Sequence, residues 1–196
     1  MERNKGGIGM LRLIKTSVEQ KEQILAFLEE WYERDERIVP TSVDRETTDF
    51  EVYVNTLRQK ELREHIEKGW VPSTTYWLTD GEELLGAVNI RHELNESLLK
   101  IGGHVGYGVK PSARGRGFAT IQLQLALEKV KEFGIERALI TCNRTNVASR
   151  QVILNNGSVA DTPYTEEDGT IVERFWIDLK GGGRDDELDH HLFGAD

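Results

Sequence analysis

A chain of 196 residues with 38% hydrophobic content is long enough for one ordinary domain with its own core, which excludes disorder of the whole. A formal charge of −9 excludes a nucleic-acid partner held by phosphate contacts, which needs a basic face, and accommodates a cationic substrate more easily. No apolar run approaches the roughly 20 residues of a membrane span, and the single cysteine, Cys142, can neither close an internal disulfide nor supply a metal cluster, so a cytoplasmic protein without membrane contact or metal is expected.

Residues 1–9, with Gly6, Gly7 and Gly9, read as a leader or cloning remnant, with Met10 as a natural start. Residues 10–14 predict a first strand, and Ser17 with Gln20 forms a capping box for a helix with the apolar stripe Ile24, Phe27, Leu28 and Trp31, ending near Arg34. A polar, helix-prone stretch covers residues 44–68, with Phe50, Val54, Leu57 and Leu62 loosely spaced and Gly69 as its stop. The period then changes: residues 75–79 and 84–92 are strand-like runs around Asp80-Gly81, a hairpin signal. After residues 95–101 comes another strand-like run, residues 104–109, ended by Pro111 and Ser112, and residues 119–133 predict a helix free of Gly and Pro. Residues 139–142 predict a strand, and residues 146–155 a short helix closed by Asn156-Gly157. Residues 170–179 predict a last strand, paired through Asp168-Gly169 with residues 158–161. From Gly181 the chain turns glycine-rich and then acidic, so a domain over residues 10–180 followed by a mobile tail over 181–196 is expected. The order is an α/β layout with mixed strand directions, about six to seven strands flanked by helices.

The hexapeptide RGRGFA, residues 114–119, falls between a strand and a helix that begins at once. Gly115 and Gly117 let the backbone turn so that consecutive N–H groups converge, and a helix start adds roughly +0.5 of an elementary charge to the same spot. Arg114 and Arg116 strengthen it, so a phosphorylated cofactor is expected there. A dinucleotide fingerprint beginning at Gly106 needs glycine at 111, where Pro111 stands; no G-x-x-x-x-G-K-[ST] exists; and Glu96 replaces the second histidine that a zinc motif at His92-Glu93 requires.

The stretch from Val109 through Lys110, Pro111, Ser112, Ala113 and RGRGFA resembles the acyl-CoA-binding motif of the GNAT N-acetyltransferases, [Q/R]-x-x-G-x-[G/A], with Arg114, Gly117 and Ala119 at its fixed positions. Asn146-Val147-Ala148-Ser149-Arg150 and Asn156-Gly157 are similar to that family's second segment, and the element order agrees over nearly the whole chain outside leader and tail. The resemblance is to uncharacterised bacterial members, for which no acceptor is implied. It implies a GNAT fold splayed at the cofactor-binding strand, and acetyl-CoA as cofactor. The pyrophosphate would lie on the backbone of Arg114, Gly115, Arg116, Gly117, Phe118 and Ala119, with Gly108 and Val109 along the pantetheine and acetyl group and Asn146 and Ser149 also on the cofactor. It further implies direct transfer to a primary amine of a small molecule, peptide or protein in a ternary complex, and makes a homodimer common.

An alkylammonium of pKa about 10.4 must lose a proton before it attacks. His104, five residues before Val109, and His92 and Glu93 at the end of the neighbouring hairpin strand are the candidate bases, alongside readings as a hydrogen-bonded sheet residue and a solvated strand end. The odd offset places His104 and Val109 on opposite faces unless the strand bulges. Relatives often carry a tyrosine acid seven residues after the Asn; Ile153 stands there, leaving Tyr107, Tyr164 or water, and raising the alternative of a catalytically weak acyl-CoA-binding or sensing module. Cys142 reads as a small buried strand residue, and Trp70, Tyr76 and Trp77 as core or as the lining of an acceptor pocket.

Overall fold

A computed structural model describes residues 10–180; the expected leader over 1–9 and acidic tail over 181–196 lie outside the described residues. Strands β1 (Arg12–Lys15), β2 (Ser73–Thr79), β3 (Leu84–Arg91) and β4 (Val105–Val109) form an antiparallel sheet in that order. Strands β5 (Arg137–Asn143), β6 (Val159–Thr165) and β7 (Ile171–Asp178) form a second antiparallel sheet with β7 in the middle. The STTYWLT and LLGAVNIR runs of β2 and β3 are buried on both faces, which requires helices on both. Helices α1 (Lys21–Tyr32) and α2 (Phe50–Gln59) cover one face, packing Phe27, Trp31, Tyr53 and Leu57 against Trp77 and Ala87. The Trp77 indole donates to Thr16 Oγ1 at 2.8 Å, which satisfies its only polar atom. Two further helices were among those expected: α4 (Phe118–Glu132) covers the other face of the first sheet and α5 (Val147–Asn155) flanks it, and both share a core with Ile140 and Phe175 of the second sheet.

Local signals decide most boundaries. The Ser17–Gln20 capping box forms, opening on one tight turn before α1. The helix expected over residues 44–68 is shorter. It is α2, capped by Asp49, and it ends at Gln59 because the following polar sequence offers no apolar stripe: Leu62 is 45% exposed, and the Ser73 N–H takes the Lys60 carbonyl to start β2. Residues 95–101 contain a short helix, α3 (Glu96–Lys100), whose cap Asn95 accepts from the Leu98 N–H.

The two sheets meet edge to edge, β4 facing β5. Backbone groups bond across only just before β4, where the His104 N–H donates to the Leu139 carbonyl at 2.7 Å, the Leu139 N–H returns to His104 Nδ1 at 2.9 Å, and the Gly102 N–H donates to Thr141 Oγ1 at 2.9 Å. Beyond that point β4 and β5 share no ladder, and the gap between them is crossed by a side-chain bond from the Tyr107 hydroxyl to Ser149 Oγ at 2.9 Å.

Candidate active site

The ladder between β3 and β4 fixes which groups face the gap. The Lys110 N–H donates to the Leu85 carbonyl at 2.9 Å, so Lys110 occupies a hydrogen-bonded pair and Val109, opposite Gly86, a non-bonded one. Antiparallel alternation then turns the N–H and C=O of Val109, and of Tyr107 two residues back, away from β3 and toward the gap. The Val109 carbonyl accordingly accepts from Arg114 Nε at 3.3 Å. Side chains alternate as well: Val105 and Val109 pack on the α4 side, while Gly106 and Gly108 face α1 and α2. A Cβ on Gly108 would collide with the Val39 carbonyl oxygen, so the segment after α1 lies directly on the β4 backbone and glycine is obligatory there.

Past β4, a tight turn over Pro111–Ala113 leads to Gly115 (φ +73°) and Gly117 (φ +81°). Gly117 is the N-cap of α4 and makes no side-chain cap bond, so the first N–H groups of α4 are left for a ligand. The space over both glycines is open, with nothing within 4 Å of a Cβ placed on either. This cradle fits a pyrophosphate. The arginines are used differently from the sequence expectation: Arg114 pairs with Glu36 at 2.7 Å and lies over the Trp31 ring at 4.8 Å, and Arg116 lies over Phe118 at 4.7 Å. Arg114 thus ties the loop to α1. A second tie precedes it, where Glu30 of α1 accepts from the Ser112 N–H at 3.0 Å, the Ser112 hydroxyl at 2.9 Å and Lys110 Nζ at 3.1 Å, and Lys110 also reaches Glu83 at 2.5 Å.

Across the gap, Asn146 caps α5 by accepting from the Ser149 N–H at 3.0 Å, and the Ser149 hydroxyl meets Tyr107. Burial pushes the Tyr107 phenol up to about 12, so it holds its proton at neutral pH, and burial likewise raises the Cys142 thiol beside it. Ile153 is fully buried in the shared core.

The three candidate bases are not gathered at Val109. His104 is buried, and because Nδ1 accepts a backbone N–H, its proton sits on Nε2. Burial, with the Arg91 charge nearby, lowers its pKa to about 4, which sets it as a neutral link between the sheets. His92 bonds Thr74 Oγ1 at 2.8 Å and stacks on Phe133 at 4.2 Å, and Glu93 pairs with Arg63. Both follow β3 at its far end, six or more residues from Gly86, about 20 Å along the strand from the Val109 end. Tyr164 lies on β6 under Lys100, Trp70 is exposed in a loop, and Tyr76 and Trp77 are core residues.

The chain matches the Acetyltransferase (GNAT) domain family over residues 16–159, well over half its length. It belongs to that family. The GNAT fold is also that of a ribosomal L7/L12 alpha-N-protein acetyltransferase, RimL, in complex with coenzyme A, at 17% identity and TM-score 0.62 over 88% of this chain and 97% of that one. The spermidine/spermine N-acetyltransferase SpeG of Vibrio cholerae, in mutant forms, is similar at 15% identity and TM-score 0.58, over 86% and 94% of the two chains. YncA of Salmonella typhimurium, a putative acetyltransferase solved with acetyl-CoA, is similar at 12% identity and TM-score 0.58, over 90% and 98%. No curated protein matches the chain. Among the described residues no helix is long and apolar enough to cross a membrane, and no cluster of His, Cys, Asp and Glu is placed to hold a metal.

Two features of this GNAT domain escape a reading of the sequence. The Glu30 anchor joins residues 82 positions apart. Arg91, the last residue of β3, turns toward the α1 and α2 side beside Gly106, a placement signalled only by a charge at an alternate position of an apolar strand.

Proposed function

We propose that the chain moves an acetyl group from acetyl-CoA to a primary amine by direct attack within a ternary complex. The observation that carries this reading is the conjunction, at one end of β4, of a gap-facing Val109 N–H and an open, left-handed helix start at Gly117. Acetyl-CoA, when bound, supplies an activated thioester. Gly115, Gly117 and the first N–H groups of α4 would bind its phosphate oxygens, and the Val109 N–H would hold the developing oxyanion. The neutral Tyr107 phenol, oriented by Ser149, would take the place of the tyrosine that Ile153 displaces and supply the proton that a departing thiolate needs. With Nδ1 of His104 occupied and His92 and Glu93 a strand length away, a water relay through the gap would pass the ammonium proton to bulk solvent, and the second proton, shed by the nitrogen as the C–S bond breaks, would restore the Tyr107 phenol.

The test is a thiol-release assay on the full chain with acetyl-CoA and a broad panel of amines. Acetyl-CoA at 100 times its dissociation constant is expected to stabilise the fold by about 2.7 kcal/mol, and at least one amine is expected to release free CoA thiol. Stabilisation without release by any amine would replace this reading with that of an acyl-CoA-binding module, and absence of both would end it.

A further inference from the structure

Arg91 presents a guanidinium that the protein itself leaves half used. Its Nη1 donates to the Gly102 carbonyl at 2.9 Å and the Gly103 carbonyl at 3.0 Å, which fixes the plane of the group, while Nη2 and Nε make no hydrogen bond among the described residues. No carboxylate of the described residues pairs with it; Glu93, two positions on, is taken by Arg63. The side chain is largely buried, and burial alone depresses its pKa, with no neighbouring anion offsetting it. A desolvated cation without a counter-charge is costly, and the free Nε–Nη2 edge has the two-pronged geometry that a carboxylate matches.

Its place is specific. In the β2–β3 register Arg91 lies on the same face as Ala87, the face covered by α1 and α2. A Cβ on Gly106 would stand 3.6 Å from Arg91 Nη2 and 3.5 Å from Pro40 Cβ, so the guanidinium lies over bare β4 backbone beside the segment that follows α1. Gly106 is three residues from Val109, about 10 Å along the strand. That is the span of a small bifunctional molecule with one end on the arginine and the other at the gap, passing beside Val39, which covers Gly108 on the same face.

We propose that the acceptor is an amine that also bears a carboxylate, a free amino acid or a close analogue, and that Arg91 pairs with that carboxylate through its Nε–Nη2 edge. The inference rests on the acetyltransferase reading above and deepens it. The overall charge of −9 favours a polyamine at long range, but the charge that faces this part of β4 is positive.

The experiment uses the full chain and matched acceptor pairs, each an amino acid and its decarboxylated amine, such as lysine with cadaverine and phenylalanine with phenethylamine. Thiol release gives kcat and KM, and calorimetry with CoA present gives acceptor affinity independently of turnover. The carboxylated member of a pair is expected to be preferred. Arg91→Gln is expected to weaken it about 10- to 100-fold in KM and affinity, while KM for the decarboxylated partner and the affinity for CoA change less than about 3-fold. Arg91→Lys keeps the charge but loses the fork, and should lose about 10-fold for the carboxylated member, which keeps the test available if Arg91→Gln does not fold. Preference for the decarboxylated amines, or equal losses for both members of a pair, overturns the proposal. If no amine releases thiol, the reaction reading fails separately; Arg91-dependent heats with amino acids still support the carboxylate site, and their absence overturns it.

Discussion

Glu30→Ala tests whether α1 holds the loop of Gly115 and Gly117 in place. The substitution removes the acceptor of the Ser112 N–H, the Ser112 hydroxyl and one Lys110 bond. The two Ser112 donors are exposed and exchange Glu30 for water at little net cost. Lys110, with a side chain only 9% exposed, keeps Glu83 but loses its second carboxylate. One charged hydrogen bond in a partly buried site is worth about 1.5–3 kcal/mol, so a net loss of about 2 kcal/mol is expected. For a domain of this size that lowers Tm by about 4–8 °C. Glu30→Gln, which keeps an acceptor for Ser112 but no charge for Lys110, should fall between. The pH dependence has a definite sign. Burial alone would raise the Glu30 pKa, but the bonds from Ser112 and Lys110 prevail and hold it below its ordinary 4.5. Its contribution is therefore complete above about pH 4.5 and disappears as pH falls through the lower folded value, so the gap between wild type and Glu30→Ala must close in acid. Thermal denaturation across pH, with CoA titration at pH 7, reads both consequences, and CoA affinity should fall with Tm because the same segment carries Gly115 and Gly117. A variant that melts within 1 °C of wild type at pH 7 and binds CoA unchanged would refute the reasoning.

Two further outcomes follow from the seam between the sheets. His104 titrates near 6.5 unfolded and about 4 folded, so its stabilising contribution is complete above 6.5 and declines as pH drops toward 4, by up to roughly 3 kcal/mol. Denaturant melts should show that slope in wild type and lose it in His104→Asn; equal slopes would refute the link. Tyr107→Phe should lower kcat by about 10-fold or more with CoA affinity almost unchanged, and an unaltered kcat would remove Tyr107 as the proton donor.

What was legible in the sequence is what is local. The Ser17–Gln20 box, the Asp80-Gly81 hairpin, and Gly115 and Gly117 before α4 each act within a few residues, and each stands where its chemistry placed it. The overlong helix over residues 44–68 shows the limit, because helix propensity without an apolar face does not hold a helix together. Parity set His104 and Val109 on opposite faces but did not give the ring its partner. Gly103 at φ +57° breaks the ladder, sending the His104 N–H to Leu139 and its carbonyl to the Arg91 N–H, so the ring reaches β5 rather than the cleft. The uses of Arg114, Glu30 and Arg91 depend on partners brought together only by the finished fold, and no spacing in the chain announces them.

The unladdered boundary between β4 and β5 has a mechanical meaning. Each half of the molecule ends in a free strand edge of the kind that elsewhere recruits a second chain, and here the two edges are turned inward on one another. Prying them apart along this plane would break no ladder but would disturb the core that both sheets share with α4 and α5 and the ties at Gly102, His104 and Tyr107. A ligand that bonds to the inward edge of β4 closes that plane. Binding there would add a backbone tie between the two halves that the fold itself does not make.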